Sequence, residues 1–241
     1  MRYELYYWPS IPGRGEFVRL ALEDAGADYV DVARSRRKGM GMAAMLRLLK
    51  DVSVVRPPFA PPFLRAGRLL IGQTANILLF LGPRLQLAPA GEAGRLWVHQ
   101  LQLTIADFVD EAHNVHHPIA SSLYYEEQKP EAARAARHFT RERIPKFLGY
   151  FETLLARSPR GGWLTGRDAS YADLSLFQLL SGLRYAFPRT MKKLQPRYRR
   201  LGSLALRTAE RPRLAAYLAS GRCLPFNEQG IFRHYPELDR L

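Results

Sequence analysis

Two hydroxyls and a histidine cluster are the side chains in this 241-residue chain whose types and spacing suit chemistry. Tyr7 and Ser10 stand just before Gly13-Arg14-Gly15, at the end of a short aromatic run. A strand feeding a helix there would present free backbone N–H groups and the positive end of a helix dipole, both favourable to negative charge. A hydroxyl at that junction can hold a thiolate or an oxyanion, and Tyr7 and Ser10 are the two candidates. His113 and His117 have the i,i+4 spacing that binds a metal when both lie on one helix. Asp107, Asp110, Glu111 and His116 lie close by. The same residues also fit a polar pocket wall or an ordinary surface. Cys223 is the single cysteine, which excludes an intrachain disulfide, a cysteine-based structural zinc site and a CxxC redox pair. Following Gly221-Arg222, it reads as a small, half-buried residue rather than a nucleophile.

The elements that must position these groups follow from the pattern. Residues 3–8 alternate, with Tyr3, Leu5 and Tyr7 on one face and Glu4, Tyr6 and Trp8 on the other. Phe17, Leu20, Ala21 and Ala25 have helical spacing from Arg14, and Gly26 suits the helix end. Asp28 to Val32 reads as a second strand, parallel to the first across the helix. Met40 to Leu49 is a short helix whose methionines suit packing. Arg56 to Leu64 is too rich in proline to be helical. Phe63-Leu64 and Leu69-Ile71 form a hairpin, and Gln73 to Phe80 a helix ended by Gly82-Pro83. After a linker over 85–94, strand signals fade. Trp97, Leu101, Ile105 and Phe108 line one long helix, and Glu131 to Leu155 reads as another. The stretch from Leu174 to Leu183 is apolar nearly all round and belongs at a bundle centre. Ser170 and Asp173 form a capping box at its start. Further helices are expected around 190–208 and 211–219.

Bulk properties narrow the class. Hydrophobic residues make up 47% and charged residues 24%, as in a soluble globular protein. No apolar run reaches the length needed to span a bilayer, and no apolar signal region opens the chain, so a cytoplasmic protein is expected. The formal charge of +14 and the sequence pI of about 10.3 imply attraction for anions. The basic residues are spread between Arg34–Lys38, Lys192-Lys193 and Arg197–Arg200. That spread describes a solvated basic surface better than a nucleic-acid face.

Three motifs in order resemble the cytosolic glutathione S-transferases, in a bacterial, Tyr-type-like form: Tyr7-Trp8-Pro9 with Gly13-Arg14-Gly15; Pro61-Pro62-Phe63-Leu64 with Ile71-Gly72-Gln73-Thr74; and Gly166 to Asp173. The resemblance covers nearly the whole chain. It implies an α+β protein, with a thioredoxin-like βαβαββα glutathione-binding domain over 1–83 and an all-α domain over 92–241 that contributes the electrophile site. It implies a glutathione transferase that activates the thiol as a thiolate against a small hydrophobic electrophile. No organic cofactor or metal is needed, glutathione being the co-substrate, and a homodimer and a role in detoxification are expected. By resemblance, Tyr7 or Ser10 steadies the thiolate. Trp8, Arg14, Pro61, Pro62, Gln73 and Thr74 bind glutathione, and Pro12, Asp107, His113 and His117 border the electrophile, while Phe226, Ile231, Phe232 and Tyr235 of the tail suit either a lid or simple packing. This sequence departs from the pattern twice: the turn after Tyr7 is one residue longer, and Pro61 lacks the N–H expected to meet glutathione. The alternative implied by Pro61 and the charge is a non-catalytic, transferase-like binding or regulatory protein.

Overall fold

The computed structural model describes residues 1–158 and 162–240. The first strand, β1, covers Tyr3–Tyr6 and stops before Tyr7, where Pro9 and Pro12 prevent further pairing. Helix α1 runs Gly13–Ala25 and is closed by Gly26 in the left-handed conformation, φ 64°. Strand β2 (Tyr29–Asp31) lies parallel to β1, while β3 (Phe63–Ala66) and β4 (Leu69–Gly72) continue the sheet antiparallel. The sheet order is β2-β1-β3-β4. This is the thioredoxin-like arrangement expected for the N-terminal part, with α2 at Met42–Lys50 and α3 at Thr74–Arg84.

Alternation along β1 works as expected. Leu5 is buried towards α1 among Val18, Leu22, Leu64, Ile77 and Leu81. Tyr6 faces the other way and stacks on Phe63 with ring centroids 4.6 Å apart. Met45 of α2 fills that second cluster, so its methionine is packing.

Helix α3 does not end at Gly82-Pro83 but continues to Arg84. A proline removes a single N–H donor there, and the ladder resumes with Leu85 N–H donating to the Leu81 carbonyl at 2.9 Å. Beyond a short linker come α4 (Glu92–Asn114), α5 (Lys129–His138), α6 (Ile144–Arg157), α7 (Tyr171–Ala186), α8 (Pro188–Leu194), α9 (Arg199–Ala209) and α10 (Pro212–Leu218). The single helix expected over 131–155 is therefore two, joined by a π-helical segment at Phe139–Arg143. Pro145 has no N–H for the turn behind it, and a wider turn absorbs that missing bond. The helix expected over 190–208 is also two, parted at Pro196.

Helix α7 is the bundle axis, with every residue from Tyr171 to Leu180 buried. Its capping box forms: Asp173 accepts from the Ser170 N–H at 2.8 Å and its hydroxyl at 2.7 Å, and from the Leu164 N–H at 2.8 Å. Helix α1 is sandwiched. Val18 and Leu22 pack into the sheet domain, while Phe17, Leu20 and Ala21 pack into the large helical core. Its acidic residues bind the helical domain directly. Asp24 takes Arg211 at 2.5 and 2.8 Å, Glu23 pairs with Arg222, and Glu16 accepts from the Tyr217 hydroxyl at 2.7 Å.

Candidate active site

The junction of β1 and α1 is built around Tyr7. Its ring is buried against the first turn of α1, and its hydroxyl oxygen accepts the Arg14 backbone N–H at 2.8 Å. The close approach requires glycine: a Cβ at Gly15 would lie 2.5 Å from the ring carbons, and one at Gly13 would overlap the hydroxyl. Burial raises the Tyr7 pKa above the ordinary phenol range, opposed by the Arg14 N–H and by the charges of Arg14 and Arg19. Tyr7 is thus a neutral phenol at physiological pH that accepts one backbone bond and keeps its own proton to donate. Ser10 sits differently. It is exposed in the turn, where its backbone carbonyl accepts from Asn227 of the C-terminal tail at 3.0 Å.

Pro12 is buried and caps α1, its carbonyl accepting the Glu16 N–H at 2.9 Å. Arg14 turns towards α4 and forms an ion pair with Asp110. Trp8 packs, half-buried, beside Tyr6 and Phe63. Pro61 and Pro62 are joined by a cis peptide just ahead of β3. Gln73 is exposed at the N-terminus of α3 with φ 67°, and the Thr74 hydroxyl donates to the Arg14 carbonyl at 3.4 Å. A cavity of about 360 Å³ opens between α1, the start of α3 and α4. Arg14, Gln73, Thr74, Asn76, His99 and Gln102 line it, with Phe17 and Ile105 as apolar wall. Among the described residues, the buried Gln102 Oε1 has no partner there. Asp110, paired with Arg14, lines it too, so the α3 N-terminus is what favours an anion there.

Residues 113–221 match the family model described as "Glutathione S-transferase, C-terminal domain". A glutathione S-transferase of Plasmodium falciparum is 23% identical over 194 residues, covering 78% of this chain and 83% of that protein. One from Plasmodium yoelii yoelii is 23% identical over 181 residues, covering 75% of this chain and 78% of that protein. The Onchocerca volvulus Pi-class glutathione S-transferase structure superposes with a TM-score of 0.70 at 22% identity, covering 95% of this chain and 99% of that one. The Ascaris lumbricoides glutathione S-transferase gives a TM-score of 0.65, also at 22% identity, covering 91% and 97%. Residues 113–221 thus carry a glutathione S-transferase C-terminal domain, and the chain as a whole shares the fold of these transferases.

The histidines sit at the end of α4. His113 is in its last turn and stacks on His117, ring centroids 5.2 Å apart, while His116 and His117 lie beyond the helix. Among the described residues no group of His, Cys, Asp or Glu is placed to hold a metal ion. His116 is buried and donates from Nε2 to the Ile231 carbonyl at 2.8 Å. That fixes its tautomer, so its Nδ1 accepts from His117 Nδ1. Burial, with Arg233 and the neighbouring imidazoles, lowers the His116 pKa to about 3 and the His117 pKa to about 4. Burial, with Arg14 and Arg233, lowers His113 as well. The cluster is a neutral imidazole wall joining α4 to the tail.

The tail residues are placed less as a lid than as packing. Ile231 and Phe232 are in the helical core, Tyr235 stacks on Tyr125 at 3.8 Å, and Phe226 stacks on Tyr185 at 5.3 Å. Asp107 is exposed on α4. Cys223 is half-buried, its thiol pushed up to about 11 by burial and by Glu16. The sequence reading missed Glu16, Arg19, Asp31 and Tyr217, a buried charged cluster behind Tyr7. Glu16 and Arg19, opposite charges three residues apart beside the apolar Phe17, Val18 and Leu20, were its only local sign.

Proposed function

We infer that Tyr7 is the group through which this glutathione transferase makes its nucleophile. The supporting observation is the buried Tyr7 hydroxyl accepting the Arg14 N–H at the α1 N-terminus, 2.8 Å away. A cysteine thiol such as that of glutathione has a free pKa near ~8.5, so most of it is unreactive at neutral pH. Tyr7, already polarised by the Arg14 N–H, donates its proton in a hydrogen bond to the sulfur and favours the thiolate. The thiol proton leaves to solvent. The thiolate then forms a C–S bond with the electrophile, displacing a leaving group or adding to an activated double bond.

In this reading the γ-glutamyl carboxylate meets Gln73 and Thr74 at the start of α3. Arg14 borders that end of glutathione, Trp8 its other side, and the cysteinyl segment lies along Pro61-Pro62. Pro61 offers only its carbonyl there, so glutathione is held by one backbone bond fewer at that point. The electrophile, small and hydrophobic, sits between Pro12, His113, His117 and the tail, with Asp107 further out on α4. The exposed Leu79, Leu96 and Leu103 on α3 and α4 suit burial in a two-fold homodimer. Removal of reactive electrophiles in the cytoplasm is the biological role this chemistry fits. A non-catalytic binding protein would leave a buried, protonated phenol at the α1 N-terminus with no task.

The test is conjugation of glutathione to a generic aryl halide, followed optically. Turnover by the wild-type chain that is lost in Tyr7→Phe and kept in Ser10→Ala is expected. An inert wild-type protein that binds glutathione would overturn the enzymatic reading.

A further inference from the structure

The Tyr7 hydroxyl is held by the Arg14 N–H, so its position is that of the first turn of α1. One side chain anchors that turn from behind. Arg19, with no exposed surface, donates from Nε to Asp31 at 2.7 Å, and from Nη1 to Glu16 at 3.0 Å and to the Pro12 carbonyl at 3.4 Å. Its guanidinium carbon lies 5.8 Å from the centroid of the Tyr7 ring. The second Glu16 oxygen accepts the Tyr217 hydroxyl at 2.7 Å, and Tyr217 belongs to α10 of the helical domain.

This arrangement is poorly explained as a stabilising device. Buried ion pairs gain little over apolar packing of the same volume, because desolvation offsets their attraction. Among the described residues, this one also leaves Arg19 Nη2 and Asp31 Oδ1 buried without partners. What it supplies is a fixed direction for the groups it holds.

We propose that Tyr217, Glu16 and Arg19 form a positioning relay through which the helical domain holds the first turn of α1, and with it the Tyr7 hydroxyl, against the glutathione sulfur. The proposal rests on the reading of Tyr7 given above. Tyr217 is a positioning residue in it, acting only through Glu16 and Arg19. The charge of Glu16 is central. The groups facing it are Arg19 on α1, Arg34 just beyond β2, Tyr217 on α10 and the Cys223 thiol at 4.0 Å. Burial favours its protonated form, while Arg19 and Tyr217 favour the carboxylate. Without the Tyr217 hydroxyl, Glu16 protonates more readily, its grip on Arg19 loosens, and the Pro12 carbonyl loses a fixed partner. The Arg14 N–H and the Tyr7 hydroxyl then drift from alignment.

The experiment titrates the ultraviolet absorbance of enzyme-bound glutathione thiolate against pH in the wild-type chain, Tyr217→Phe and Glu16→Gln. Steady-state kcat and glutathione KM are measured alongside. Loss of the Tyr217 bond to the Glu16 carboxylate, passed only in part to Tyr7, predicts a higher midpoint in Tyr217→Phe. Thiolate on the acid side then falls about 3- to 10-fold. The same loss should appear in kcat, with KM changed less than about twofold, since no glutathione contact is removed. Glu16→Gln keeps an acceptor for Tyr217 but removes the charge facing Arg19, and should move the midpoint the same way. A merely structural role would lower thermal stability and leave the midpoint in place. Unchanged midpoints in folded variants overturn the relay. Should Tyr217→Phe fail to fold, Glu16→Gln decides the matter alone. A wild-type chain that binds glutathione with no thiolate signal overturns the Tyr7 reading instead.

Discussion

Replacing Tyr7 with phenylalanine removes one oxygen from a site where the ring itself is gripped by Gly13 and Gly15. The phenyl ring should therefore stay in place, and the loss should be that of a single hydrogen bond to a charged sulfur. Such bonds contribute about 1.5–3 kcal/mol, which at about 1.36 kcal/mol per pKa unit corresponds to roughly one to two units on the bound thiol. On the acid side of both midpoints, thiolate and kcat should fall roughly 10- to 150-fold. Glutathione KM should move little, because the peptide contacts at Pro61, Pro62, Gln73 and Thr74 are untouched. The Arg14 N–H is also left without its acceptor, which costs about 1–3 kcal/mol of folding stability. Rates must therefore be taken well below the variant's unfolding temperature. The assay is the pH profile of kcat with an aryl halide, run beside Ser10→Ala. If Tyr7→Phe keeps wild-type rates below the thiol midpoint while Ser10→Ala loses tenfold or more, the reasoning from burial and hydrogen bonding is refuted.

The remaining predictions concern the frame around that site. Gly15→Ala places a methyl 2.5 Å from the Tyr7 ring. Overpacking should cost about 1–3 kcal/mol in urea unfolding and lower kcat. Gly182→Ala drives a methyl into the Phe232 ring on the tail; expect a similar stability loss and faster proteolytic clipping after residue 220, and unchanged clipping would argue against tail packing at α7. Asp173→Ala strips acceptors from the Leu164 and Ser170 N–H groups, so calorimetry should show a loss of about 2–5 kcal/mol. His116, held neutral with its pKa lowered to about 3, gives a pH dependence with a definite sign. The unfolded chain binds a proton below about 6.5 while the folded chain does not, so stability is full above that pH. It should decline as pH falls towards about 3, by a few kcal/mol in all. His116→Gln should flatten that decline in denaturant titrations at stepped pH.

Local pattern made much of the fold legible. Alternation in β1, helical spacing of Phe17, Leu20 and Ala21, Gly26 as helix stop and the Ser170–Asp173 box each depend on neighbours within a few residues. Where the reading failed, a proline was involved. Pro83 was read as ending a helix that continues to Arg84, whereas Pro145 and Pro196 interrupt stretches that read as unbroken. A proline removes one bond, and whether the chain breaks, widens or carries on depends on packing around it. The histidine cluster, open in the sequence between a metal pair, a pocket wall and plain surface, also depended on packing. Its i,i+4 spacing assumed a helix through His117, but α4 ends at Asn114 and His116 turns inward to the Ile231 carbonyl, 115 positions along the chain.

The strand-turn-helix over Tyr3–Ala25 shows where the division falls. The sequence by itself determined that a hydroxyl would stand at a helix N-terminus, because alternation, the Gly-Arg-Gly step and the apolar spacing are local. It left Tyr7 and Ser10 as rivals, since a turn's length does not say which side chain is buried. Only the tertiary structure separated their environments, by packing Tyr7 under Gly13 and Gly15 and leaving Ser10 in solvent beside Asn227. The cluster behind Tyr7 was likewise beyond local reading. Glu16 and Tyr217 are 201 positions apart, and what joins them is the closure of a helical domain onto α1.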